Sequence, residues 1–318
     1  SFAALLAAGR TNPQKPYTLF IDPGFPVNKS QLHLLGLPFK SFDILNFRGE
    51  KLRAKLESYL LENNVCTITY SSPNNPSWIS LSEEELQIIG ELATKHDAIV
   101  VEDLAYFGMD FRKDYGKSGV EPYQPTVARY TENYILLLSA SKIFSYAGQR
   151  IGMMITSEKL RTQKYPNLKN YFTSDVLGHF ITYGVLYATT AGTAHTAQYA
   201  LAAMLKAAND GSIDFVADLQ PYREKARQMK EIFLKHGFYI VYCDNDGDLA
   251  DGFYFTIAYP GMTSAQLMKE FLYYGISAIS LNITGSENIS GLRACVSFVR
   301  FDQIPLLDIR LKALTQNK

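Results

Sequence analysis

The chain has 318 residues, with 31 Lys plus Arg against 31 Asp plus Glu, 47% hydrophobic and 19% charged residues. That much apolar material excludes a disordered or fibrous chain, and zero net charge gives no global attraction to nucleic acid or an anionic membrane. Three cysteines, Cys66, Cys243 and Cys295, lie far apart with no CxxC spacing, so neither a disulfide framework nor a zinc site is expected, and a reducing compartment, the cytoplasm, is the default.

At roughly 150 residues per domain, the length suits a large and a smaller domain. The chain opens on a helix-like apolar run, 1–9, without the basic lead of a secretory signal. Short apolar runs at 17–21, 65–70, 98–102, 134–138 and 151–156 suit strands covered on both faces. Helical patterns lie between them, as at 48–61, and Ser82-Glu83-Glu84-Glu85 is a capping box opening a helix to about His96. Strands alternating with helices predict a three-layer α/β/α domain with a mainly parallel sheet over 1–218.

Residues 176–205 are 30 positions without a formal charge. Their polar residues, and Gly192, argue for a buried or subunit-facing helix pair over a membrane span. Beyond Pro221 the pattern changes. A basic helix with interleaved acidic and apolar residues, 222–235, precedes strands at 238–242 and 252–258. A helix at 262–274, a strand at 292–298 and a closing helix at 304–314 complete a smaller α/β domain over 219–318.

In an open α/β sheet, ligands sit outside the carboxyl ends of the strands. Three of those ends carry unusual polar groups: Ser71-Ser72-Pro73-Asn74-Asn75-Pro76, Asp103-Leu104-Ala105-Tyr106, and Ser139-Ala140-Ser141-Lys142. Parallel strands would bring all three to one rim. A partly desolvated Lys tends toward a reactive amine, and an Asp at a strand end can face a protonated pyridine nitrogen. Ser139, Ser141 and Arg150 could hold a phosphate dianion. Amine, carboxylate and phosphate cradle are what pyridoxal phosphate (PLP) needs.

Ser139-x-Ser141-Lys142-x-Phe144-(x5)-Arg150-x-Gly152, Asn75-Pro76 and Asp103-x-x-Tyr106 resemble the signature of fold-type I PLP enzymes, and of the class I/II aminotransferases above all. Asp22-Pro23-Gly24-Phe25-Pro26 is similar to an earlier segment of that family, and Gly291-Leu292-Arg293-Ala294-Cys295-Val296-Ser297-Phe298 to its late, carboxylate-binding strand. The resemblance implies that Lys142 forms a Schiff base with PLP and shuttles the Cα proton. It implies that Asp103 pairs with the pyridinium nitrogen, that Tyr106 and Asn75 hydrogen-bond the ring oxygen, and that Phe25 stacks on the ring. Ser139, Ser141 and Arg150 would hold the phosphate, and Arg293 the substrate carboxylate. It also implies a homodimer and a reaction between an amino acid and a 2-oxo acid. A β-lyase on the same fold, or the effector module of a transcription regulator, is the alternative. Family members carry a further N-terminal segment with part of the phosphate site, so a polypeptide starting at Ser1 is expected to bind PLP weakly.

Each residue also has a structural alternative. Lys142 could be a solvated surface lysine, and Asp103 could cap a helix. Asn75-Pro76 could be only a turn, Phe25 ordinary core, Ser141 a local cap, Arg150 a surface ion pair, and Arg293 a structural cation. Trp78, just past the Asn-Pro turn, reads as packing rather than chemistry. No metal site is expected: the acidic run 244–248 puts Phe253 where a calcium loop needs its bidentate Glu, and the five His lack ligand spacing.

Overall fold

In the computed structural model, which describes residues 1–244, 249, 251–287 and 290–316, the apolar runs of the first half become one sheet. Its strands are β1 (Tyr17–Asp22), β2 (Phe39–Asp43), β3 (Val65–Ser71), β4 (Ile99–Leu104), β5 (Tyr134–Ser139) and β6 (Gly152–Thr156). They lie in the order β2-β1-β3-β4-β5-β6, parallel throughout except that β6 runs antiparallel to β5. β2 has no counterpart among the expected strands. It reads Phe-Lys-Ser-Phe-Asp at a sheet edge and so lacks the continuous apolar run of a central strand. β6 corrects the expectation of a strand covered on both faces. It is the other edge, and Ile155 is exposed.

The crossover helices explain the parallel strands between them. In the helix Lys51–Leu60, Leu52, Leu56 and Leu60 repeat every four residues and are buried, each contributing about 1.5–3 kcal/mol by leaving water. The helix Glu83–Lys95 begins with the expected capping box, Ser82 and Glu85 each accepting the other's backbone N–H. Glu85 is itself fully buried and also accepts from Arg48 at 2.7 and 3.0 Å and from the Gly49 N–H. Burial pushes its carboxyl up, but these donors outweigh burial and hold it below its ordinary value.

The uncharged stretch forms helical turns from Leu177 to Thr190, breaks at Gly192 (φ +116°) and resumes as the helix His195–Asn209. It is a helix pair, but much of it is exposed, including Tyr183, Tyr187 and Tyr199. Among the described residues no helix is long and apolar enough to cross a membrane.

A second, antiparallel sheet follows: β7 (Tyr239–Ile240), β8 (Tyr254–Ala258), β9 (Ile279–Ser280) and β10 (Leu292–Cys295), in the order β7-β8-β10-β9. It is backed by the helices Gln220–Lys235, Ser264–Tyr273 and Ile304–Gln316. Residues 245–248 of the acidic run lie outside the described residues. One apolar core runs from Val100 and Leu104 of β4 to Phe255 and Ile257 of β8. Asp43, at the end of β2, also ties the two sheets: its Oδ2 accepts from the Tyr242 hydroxyl at 2.6 Å and the Glu287 N–H at 2.8 Å.

One buried acid gives a test of this packing. Glu102 is fully buried in β4, accepts from the Val127 N–H at 3.0 Å through Oε2, and its carboxyl lies against the Tyr70 hydroxyl of the paired strand. Burial pushes its carboxyl up to about 8. The folded state therefore holds a proton that the unfolded chain releases near 4.5. This stabilisation is complete below the unfolded value, falls as the pH rises, and is gone once the pH passes about 8. Glu102→Gln should flatten the fall in stability between those limits, on the order of a few kcal/mol, as read from denaturant midpoints across pH.

Candidate active site

Because β1, β3, β4 and β5 run the same way, their carboxyl ends share one rim. Asp22, Ser71, Asp103 and Ser139 stand along it, with Ser71 and Asp103 directly paired. A cavity of about 200 Å³ opens between this rim and the turn 282–285. Asp22, Phe25, Lys29, Ser71, Asp103 and Thr284 are among the residues that line it. Phe25 is 46% exposed, so its ring face is accessible. Asp103 Oδ1 accepts the Ala105 N–H at 3.0 Å. Burial pushes the Asp103 carboxyl up, against the pull of that N–H. Asp22 is buried and ion-paired with Lys29, and burial pushes it up to about 6.

The antiparallel sheet contributes Arg293 from β10. Its Nη1 donates to Asn75 Oδ1 at 2.9 Å, and its guanidinium lies 4.3 Å from the centre of the Tyr254 ring. Its Nε is buried and has no partner among the described residues. Asn75 is held in place by its neighbour. Asn74 donates to the Pro23 carbonyl at 2.8 Å and to Ser71 Oγ at 3.1 Å, and accepts from the Ser77 hydroxyl at 2.7 Å. Sequence reasoning missed Asn74; the signal was the Asn-Asn pair ahead of Pro76, where one amide can anchor the loop while the other faces the site.

Tyr106 is buried beside this group, with its hydroxyl 3.5 Å from that of Tyr254. Burial, reinforced by Tyr254, pushes its phenol up. Lys142 follows β5 in the short helix Ala140–Ile143, which Ser139 caps by accepting the Ser141 N–H at 3.2 Å. The Lys142 ammonium lies 5.9 Å from the centre of the Phe253 ring and pairs with no carboxylate among the described residues. The three residues expected at the phosphate lie on adjoining backbone, Ser139 pairing with Gly152 and the Ala140 N–H donating to the Ile151 carbonyl at 3.3 Å. Ser139 is engaged as a cap, and Arg150 is exposed at φ +52° and donates to the Ala147 carbonyl at 2.7 Å. A larger cavity, about 530 Å³, lies at the opposite ends of β3 and β4 beside Lys15, Cys66 and Tyr165, and no expected site residue borders it.

The residues present therefore suit a flat cationic ring and a carboxylate: an aromatic face and an acid at one cavity, an amine without a counter-ion, and a guanidinium with an unused donor. The sequence model of the family described as aminotransferase class I and II matches residues 3–247. The chain belongs to that family. An aspartate aminotransferase of Bacillus subtilis is 32% identical over 34% of this chain and 26% of its own length. A histidinol-phosphate aminotransferase of Bacillus pumilus is 26% identical over 51% of this chain and 42% of its own length. The matched stretches thus span about a quarter to two-fifths of these relatives. Among solved structures, a methionine aminotransferase of Escherichia coli superposes over 98% of this chain and 74% of its own at TM-score 0.76 and 16% identity. An aspartate aminotransferase of Thermotoga maritima does so over 100% and 74% at TM-score 0.74 and 17% identity. These likenesses show that the chain has the α/β fold of the aminotransferases.

The Asn75 contact makes a measurable claim on stability. Asn75→Ala removes the acceptor of a largely buried guanidinium and should cost about 1–3 kcal/mol in chemical denaturation. Asn75→Asp, which keeps an acceptor, should recover most of that loss.

Proposed function

We propose that this protein is a PLP-dependent aminotransferase that moves an amino group between an L-amino acid and a 2-oxo acid. The observation that carries the reading is the Arg293 guanidinium, fixed by Asn75 and Tyr254 with its Nε unpartnered, together with Lys142, which follows the rim strand β5 and pairs with no carboxylate, all among the described residues. When bound, PLP supplies an electron sink that lets the Cα proton of an amino acid leave.

The remaining duties fall to the chain. Lys142 would hold the cofactor covalently and, once released, carry the proton from and to the substrate carbon. Asp103, ionised opposite a cation, would keep a proton on the ring nitrogen, and a raised carboxyl makes that pairing selective for a positively charged ring. Tyr106 and Asn75 would donate to the ring oxygen, and Phe25 would cover the ring. Ser139, Ser141 and Arg150 would take the phosphate, for which Arg150 leaves the Ala147 carbonyl. Arg293 would hold the substrate carboxylate in a planar fork that Lys could not match. We take residues 1–218 as the cofactor-binding unit and 219–318 as the smaller one. A cytoplasmic homodimer is part of the same proposal. The homodimer is supported by the exposed helix pair carrying Tyr183, Tyr187 and Tyr199, whose stretch 176–205 holds no formal charge.

With saturating PLP, adding an amino acid alone should convert the cofactor's absorbance to that of the pyridoxamine form, and Lys142→Ala should abolish the conversion. No conversion with any amino acid would reject transamination, and pyruvate with ammonia in the absence of an oxo acid would indicate a lyase. Arg293→Gln should lower kcat/KM by roughly 10- to 100-fold, the worth of a hydrogen bond to a charged group.

A further inference from the structure

Trp78 is the single tryptophan of the chain, fully buried, and its backbone has φ +63°. A bulky side chain adopts that left-handed conformation only where its surroundings hold it there. The Trp78 N–H donates to the Asn74 carbonyl at 2.7 Å, while the indole N–H is buried with no partner. Locally the position is thus doubly unfavourable for tryptophan.

The surroundings show what the indole does. Its ring centre lies 4.9 Å from that of Tyr106, 5.8 Å from that of Tyr254 and 5.9 Å from that of Phe253. Tyr254 carries the Arg293 guanidinium, and Phe253 lies beneath the Lys142 ammonium. The backbone of the second sheet comes up to the indole at Gly252. A Cβ there would stand 1.9 Å from Cε2 and 2.2 Å from Nε1, so only glycine admits the ring.

We propose that Trp78 is a positioning residue. Wedged between the loop that carries Asn75 and the 252–254 segment, it sets the Tyr254 ring, and on it Arg293, at the distance from Asn75 that receives a carboxylate. The proposal rests on reading Arg293 as the carboxylate-binding residue. Such a residue acts on substrate and transition state alike, so its loss shows in KM and not in kcat.

The test is a double-mutant cycle on the PLP-loaded enzyme with Trp78→Leu and Gly252→Ala. Each single variant should raise KM for the amino donor about tenfold with kcat within about threefold. The double variant should recover most of the KM, because the added methyl fills space that the indole vacates. In the unsubstituted enzyme, emission of the single tryptophan should change on titration with 3-phenylpropanoate, an unreactive carboxylate, and Arg293→Gln should abolish that response. If the variants melt earlier but KM and the additivity of the cycle show no coupling, or if the emission is silent on titration, Trp78 only fills space and the proposal is overturned while the reading of Arg293 stands. If Arg293→Gln binds the carboxylate as tightly as the unsubstituted enzyme, the reading of Arg293 itself fails.

Discussion

The hydrogen bond from Arg293 to Asn75 joins two sheets that share no strand. One partner stands on β10 of the antiparallel sheet, the other on the loop that leaves β3 of the parallel sheet. Neither sheet alone could bring Arg293 to Asn75. The parallel sheet collects Asp103, Ser139 and Lys142 at its rim but offers them no guanidinium that meets Asn75. The antiparallel sheet offers Arg293 and the Tyr254 ring on which it lies, while its acceptor, Asn75, comes from the other sheet. The common apolar core and the Asp43–Tyr242 contact set the distance across which this bond forms.

The polar groups of the interior divide by how fully they are paired. Glu85 and Asp43 receive several donors each, and they tie helices and sheets together. Arg293 Nε, Asp22 Oδ1 and Trp78 Nε1 are buried without partners among the described residues. A buried polar atom left unpaired costs free energy, so each of these is a place where packing has outweighed hydrogen bonding.

The sheet was largely legible in the sequence, because β1, β3, β4 and β5 are short, mostly apolar runs, as strands buried on both faces tend to be. The edges were not: β2 carries Lys40 and Ser41, and β9 is only two residues long, too short to show any period. At the site, the sequence showed that Asn75, Asp103 and Lys142 stand at or just past strand ends, and the family resemblance gave them expected roles. What could not be read was how side chains choose partners once there. Ser139 turns to its own helix, Arg150 to Ala147, and Asn74 anchors the loop whose next residue faces Arg293. Such choices are made by distances between segments remote in sequence, and no local pattern encodes them.

The succession of Glu102 and Asp103 along β4 carries a consequence for how that strand finds its place. Ile99 and Val101 join the core on one face of the sheet, Val100 and Leu104 the core on the other. An apolar pattern that suits both faces cannot tell one register from its neighbour. The two acids can. Slipping the strand by one residue would carry Asp103 into the dry layer that accepts only a neutral carboxyl, and bring Glu102 to the rim. The side chains most costly to bury are thus the ones that fix how β4 is threaded.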